Sequence, residues 1–275
     1  MSFVGEVTGV FGLLGKAWNL LRDRLDPARA QAKRLIETFE AYGIARQQIP
    51  RVLPPELKLP NANFSTPDKL KDKVTPELLD WAADYLAINR SWLDGVASQP
   101  HPVMDHASDT AGYRTWLVQR LVEAPNADHS LSVWKAHGQP ISGGQGSLFL
   151  IYQEASEGLD GIELNRCWLL SDGWHLDHPR CLHLMVAVVA MARSLGIPVR
   201  GMDVEMEALE QVATGEKLIP QAKFRIKGMW HPEDLIEPLP GQDTAWRQAL
   251  WKAARAHLTD AEIRSQIAET SNHTS

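Results

Sequence analysis

The run Leu182–Ala192, LHLMVAVVAMA, constrains the fold more than any other stretch, because only one of its residues is polar. A membrane-spanning helix needs about 20 apolar residues, and this run falls well short. It reads instead as the middle of a buried helix, from about Pro179 to Leu195. Such a helix has to be enclosed by a folded domain. The composition permits one, with 44% hydrophobic and 23% charged residues, ordinary values for a globular chain. Ten Trp against four Tyr is an unusual ratio. Trp buries a large area but needs a partner for its N–H, so sizeable cores and an aromatic contact surface are both expected.

Strand signals surround the buried helix. Gly143, Gly144 and Gly146 precede SLFLIYQE, a strand by its aromatic and branched content. Ile162 to Leu170 reads as a second strand, and the SEGLDG between them has turn chemistry, which predicts a hairpin. Gly196 to Val204 looks like a helix-to-strand crossing. Val204 to Thr214 is helical in its later part, Phe224 to Met229 is a short strand, and Asp243 to His257 is an amphipathic helix. Thr259 and Glu262 form a capping box for a last short helix.

The front of the chain is helical. Phe3, Val7, Val10, Leu14, Trp18 and Leu21 lie on one helical stripe. This helix is expected to pack on its own domain or on a second copy of the chain in a homodimer, or to lie on a membrane surface through residues 3–21. A second helix, Ala28 to Tyr42, is stopped by Gly43, and a third short segment runs from Ala45 to Leu53. Four prolines make 54–67 a connector. Thr66-Pro67-Asp68 and Thr75-Pro76-Glu77 are helix starts, the second opening a helix to Ala87. Pro100 and Pro102 place a linker at 96–110. The predicted organisation is an amphipathic helix (1–26), a helical module (27–95), the linker, and an α/β domain with a small sheet (111–275). The fold class is mixed α+β.

Charge separates the halves. The chain carries a net charge of −6, but residues 1–94 hold 13 Lys and Arg against 12 Asp and Glu. The remainder holds 15 against 22, so nonspecific nucleic-acid binding there is disfavoured. The two cysteines, Cys167 and Cys181, make no disulfide framework. The N-terminus lacks a basic segment and a small-x-small cleavage site. A cytoplasmic location is the expectation.

Two segments, RLIETFEAYGIARQQIPRVL (34–53) and VTPELLDWAADYLAINRSWLDG (74–95), resemble the Cro and phage-repressor helix-turn-helix family. The resemblance implies a support helix, a turn at Gly43, a recognition helix from about Ala45, and closing helices that end at Trp92, Leu93 and Gly95. It would place Gln47 and Gln48 against adenine edges of duplex DNA and Arg46 and Arg51 against phosphates. Ile44 and Ile49 would face the module's own core. Pro50 inside such a recognition helix removes the hydrogen bond to the Arg46 carbonyl, and the Pro-rich insertion separates the matching pieces. Protein contact is the alternative use of the same module.

The densest polar cluster lies just before the buried helix, from Ser171 to His183. It brings Trp174, His175, Asp177, His178, Cys181 and His183 close in sequence. Its spacing matches no zinc pattern, so no metal and no cofactor is expected. Trp174, His175, Asp177, His178 and His183 are candidates for a ligand-pocket rim. His231, in the later His231-Pro-Glu-Asp loop, is a further one. The GGQGS run precedes a strand, whereas a phosphate loop follows one. The leading functional expectation is a regulator, a helix-turn-helix-like module coupled to a sensing domain. A protein-interaction or peripheral-membrane adaptor and a metal-dependent hydrolase using the His175–His183 cluster are the alternatives. Catalysis is the less expected outcome.

Overall fold

The computed structural model describes residues 25–236, 244–260 and 262–263. The chain divides between Ala97 and Ser98 into two compact units, and its class is mixed α+β. No helix among the described residues is long and apolar enough to cross a membrane. The expected stripe at 3–21 lies outside the described residues.

The first unit is helical: α1 (Pro27–Ala41), the one-turn α2 (Ile49–Val52) and α3 (Pro67–Leu70), α4 (Pro76–Leu86) and α5 (Arg90–Leu93). Ala32, Leu35, Ile36 and Phe39 fall at helical spacing on α1 and are buried, with Leu78, Leu79, Ala82 and Leu86 of α4 in the same state. Caps set the ends as the sequence predicts. Thr66 Oγ1 accepts from the Lys69 N–H and Thr75 Oγ1 from the Leu78 N–H, and Gly43 takes φ +80° just past α1. Ile44 and Ile49 are buried. The expected recognition helix is corrected. Ala45 to Gln48 form a turn, and only Ile49–Val52 is helical, with Pro50 in its first turn. Proline tolerates the start of a helix and not its interior, so it opens a short helix rather than interrupting a long one.

The second unit is built on a five-stranded sheet of order β3-β2-β1-β4-β5. Its strands are β1 (Asp128–Ala136), β2 (Leu148–Glu157), β3 (Glu163–Leu169), β4 (Val199–Val204) and β5 (Ile226–Trp230). β1 to β3 form an antiparallel meander that includes the expected hairpin. β4 then pairs parallel to β1 on its other side, and β5 closes antiparallel to β4. The helices are α6 (Thr110–Glu123), α7 (Pro179–Ser194), α8 (Met206–Ala213), α9 (Ile219–Ala222) and α10 (Ala245–Arg255).

The register defines two faces. Ser130, Ser132 and Trp134 of β1 share one with Gln153, Ile151 and Phe149 of β2 and with Arg200 and Met202 of β4. Leu131, Val133 and Lys135 share the other with Tyr152, Leu150 and Leu148. α8 and α9 cover the Trp134 end of the first face, where Leu209, Val212 and Ile219 pack with Trp134, Phe149 and Val204. α6 covers the second face: Trp116 packs edge-on to Tyr152 and Trp168, and Arg120 reaches Glu154 with Nε at 2.6 Å and Nη2 at 2.8 Å. α7 packs among α6, β4 and α10. Ten of its residues, among them Met185, Val186, Val188, Val189 and Met191, are buried, which is the environment its apolar composition requires.

The division between the units falls inside the expected linker segment, 96–110, and the residues after it pair with the second unit. Val103 forms a parallel bridge with Leu169, flanked by hydrogen bonds from Leu169 N to Pro102 O at 3.0 Å and from Met104 N to Leu169 O at 2.7 Å. His101 is fully buried. Prolines that forbid a helix still allow an extended chain to run along a sheet edge.

Candidate functional site

The first turn of α7 is where side chains of chemical interest gather. The loop before it is pinned to the start of β2. Ser147 bridges His175, Leu148 N donates to Trp174 O at 2.9 Å, and Leu176 N donates to Gly146 O at 3.0 Å. His178 is the N-cap residue of α7, with an extended backbone and no side-chain cap bond, and Pro179 follows in the first turn. Cys181 comes two residues later. Its Sγ is 3.6 Å from His178 Nδ1, within hydrogen-bonding reach for sulfur, and the thiol is partly exposed.

The pair opens into a hollow of about 600 Å³ lined by Asp105, Asp172, Trp174, His175, Asp177 and Arg180 as well. Ligand pockets usually enclose about 300–1,000 Å³. The opposite wall is the segment 105–108, which Arg180 holds by a 2.9 Å hydrogen bond from Nη2 to Ala107 O. Behind it the Tyr113 hydroxyl donates to Asp105 Oδ1 at 2.7 Å. Burial, reinforced by Asp105, raises the Tyr113 pKa well above its ordinary value. The phenol therefore stays protonated and keeps Asp105 in place.

Four of the expected rim residues, Trp174, His175, Asp177 and His178, thus meet in one hollow. His183 does not join them. It faces a second hollow of about 570 Å³, with Gly143, Gly144 and Trp246, and burial there lowers its pKa, with His257 acting in the same direction. His231 lies beyond β5, with Nδ1 3.3 Å from Glu233 Oε1, and lines neither hollow. Among the described residues no three His, Cys, Asp or Glu side chains converge as metal ligands. The metal-dependent hydrolase expectation therefore finds no ligand set among them.

Of the residues expected to touch DNA, Arg46 and Gln48 make hydrogen bonds within their own unit. Arg46 pairs with Glu40 through Nε at 2.7 Å and Nη2 at 3.1 Å, and donates from Nη1 to Ser65 O at 3.1 Å. The Glu40 hydrogen bond raises the Arg46 pKa. Gln48 Oε1 accepts from the Ala45 N–H at 2.9 Å, Gln47 is exposed in the turn, and Arg51 is exposed on α2.

Asp105 lies outside the expected polar cluster, whereas Asp172, Arg180 and Cys181 fall within it, from Ser171 to His183, but not among the expected rim residues. The first belongs to the supposed linker, so only its contact with Tyr113 places it here. Cys181 carries a legible signal, His-Pro-x-Cys at a helix start, which puts thiol and imidazole one turn apart on the same side. The other cysteine is a contrast: Cys167 is fully buried on β3, and burial pushes its thiol up to about 11.

No family model matches the chain, and neither a curated protein nor a solved structure shows similarity to it.

Proposed function

We propose that the second unit is a thiol-dependent acyl-transfer enzyme in which Cys181 is the nucleophile and His178 its base. The observation that carries this is the 3.6 Å approach of Cys181 Sγ to His178 Nδ1 at the wall of an open hollow. A thiol, an adjacent imidazole and room for a substrate are the parts covalent catalysis needs. In the reaction His178 Nδ1 takes the Sγ proton and the sulfur attacks a carbonyl carbon. The resulting imidazolium gives its proton to the leaving group, leaving a thioester on Cys181. Water, deprotonated by the same nitrogen, then cleaves the thioester and restores the thiol. The start of a 16-residue helix favours the negative charge that develops. Asp105, Asp172 and Asp177 outnumber Arg180 around the hollow, which favours a neutral or cationic acyl substrate.

Alkylation by iodoacetamide, followed residue by residue by mass spectrometry, is the direct test. Cys181 should label fast and Cys167 should not. His178→Ala should slow Cys181 labelling at neutral pH by about tenfold and should lower turnover of an activated ester such as p-nitrophenyl acetate by about 10² or more. Cys181→Ser should abolish that turnover. Labelling of Cys181 no faster than that of a free model thiol, and unchanged by His178→Ala, would sink the reading.

A further inference from the structure

The first sheet face changes character halfway along. Under α8 and α9 it is apolar, with Trp134, Phe149, Met202 and Val204. Beyond Trp134 the same face carries Ser132 beside Arg200, Ser130 beside Gln153, and Asp128 beside Ala155, with Asn165 next in that row. Among the described residues no helix covers this half in the way α8 and α9 cover the other. It forms the floor of a half-enclosed hollow of about 670 Å³, overhung by Lys223 from the turn after α9. Its floor is the sheet face opposite the one on which Trp116 and Arg120 of α6 pack, and Leu121 of α6 lines its rim.

Three observations give this hollow a ligand chemistry. The first is its polarity. Arg200, in the row of Ser132, stands at one end, and Asp128 and Glu163, the first residues of β1 and β3, stand at the other, with Lys223 overhanging the floor. Arg200, Lys223 and Asp128 have no hydrogen-bond or ion-pair partner among the described residues. The cations on the second face and the α10 side are paired instead, Arg120 with Glu154, Lys135 with Asp203 and Arg114 with Glu262. The second is the ground between the ends, where the hydroxyl of Ser130 and the amides of Gln153 and Asn165 can both donate and accept. The third is an orphaned donor: Trp134 lines the hollow and is 1% exposed, yet its indole N–H has no partner among the described residues. A buried indole N–H normally has one.

The spacing selects among dipolar molecules. Ser132, in register with Arg200, is four residues from Asp128 along β1, about 13 Å at 3.2–3.4 Å per residue. The two charges of a single free amino acid are far too close together to reach both ends. An extended chain spans at most about 3.3–3.6 Å per residue, so about four peptide units fit. We infer that this sheet-face hollow binds a short peptide with free ends. The carboxylate lies at Arg200 and Lys223, the ammonium at Asp128 and Glu163, and the peptide groups lie over Ser130, Gln153 and Asn165. Guanidinium is suited to hold a carboxylate through two parallel hydrogen bonds.

Equilibrium dialysis of the full chain against a randomised tetrapeptide mixture, read by mass spectrometry, tests this. The same mixture acetylated and amidated at its ends is the control. Free-ended peptides should be retained at least tenfold over the capped mixture. Arg200→Ala should remove the discrimination against C-terminal amidation alone, and Asp128→Ala the discrimination against N-terminal acetylation alone. Both residues are exposed, so the variants should keep the wild-type circular dichroism. Cys181→Ser should leave retention unchanged, which separates this hollow from the thiol site. Retention of neither mixture, equal retention of both, or retention indifferent to Arg200→Ala and Asp128→Ala would overturn the inference.

Discussion

His101 shows how one side chain ties stability to pH. It is fully buried, and its Nε2 accepts the Ile219 N–H at 2.8 Å, so the ring is neutral with its proton on Nδ1. Burial lowers its pKa to about 3, against a smaller opposing pull from the Cys167 backbone. Unfolding returns the ring to about 6.5. Between those values the unfolded chain binds a proton that the folded chain does not, so stability rises with pH through this window and is lost as pH falls. The expected loss from this residue alone is about 2 kcal/mol between pH 7.5 and pH 5. Urea unfolding across that range should show the slope in the wild type and a reduced one in His101→Asn, which keeps an acceptor but cannot titrate. Nothing in the sequence marked His101, because its prolines made the segment look like a spacer. The histidines of 175–183 were legible as a cluster, but their grouping in space was not. His183, five residues after His178, points to a different hollow because five residues of helix separate the two directions by about 140°.

At the level of elements, most of the second unit could be read from its pattern, and the omission of β1 is instructive. The strand DHSLSVWKA alternates, but its phase reverses. Leu131 and Val133 are the apolar positions at first, with Ser130 and Ser132 polar. Trp134 is then apolar and Lys135 polar. The reversal records a change of cover, since the first face becomes apolar only where α8 and α9 reach it. Lys135 is accommodated on the second face by its ion pair to Asp203 at 2.5 Å and a hydrogen bond to Gln139 O at 2.7 Å. A period-two search expects one phase throughout. β5 depends on a close approach that the sequence also conceals. A Cβ on Gly201 would lie 2.4–2.6 Å from ring atoms of Trp230, its partner on β5. Gly201→Ala should therefore cost about 1–3 kcal/mol in denaturant unfolding. In combination with Trp230→Ala the cost should be less than additive, because the clash would have been removed.

At the scale of the molecule, the division after Ala97 differs from a linker at 96–110 in what it assigns to the second unit. The segment 98–106 contributes the His101 contact to Ile219, the Val103 bridge, and the Asp105 contact to Tyr113. A fragment of residues 98–275 should unfold cooperatively by circular dichroism. A fragment starting at residue 111 should melt lower by about 10 °C or more, since several kcal/mol of pairing and packing go with the removed segment. Equal melting of the two fragments would show that 98–110 is only a spacer. The strand order has a consequence for how the chain is made. During synthesis the meander β1–β3 emerges first, leaving the β4 side of its first strand with bare N–H and C=O groups. The partner strand ends 35 residues after Leu169, roughly 2–7 s later at 5–20 residues per second. In that interval the future centre of the sheet is an outer edge. The nascent chain is then most exposed to joining a neighbour of its own kind.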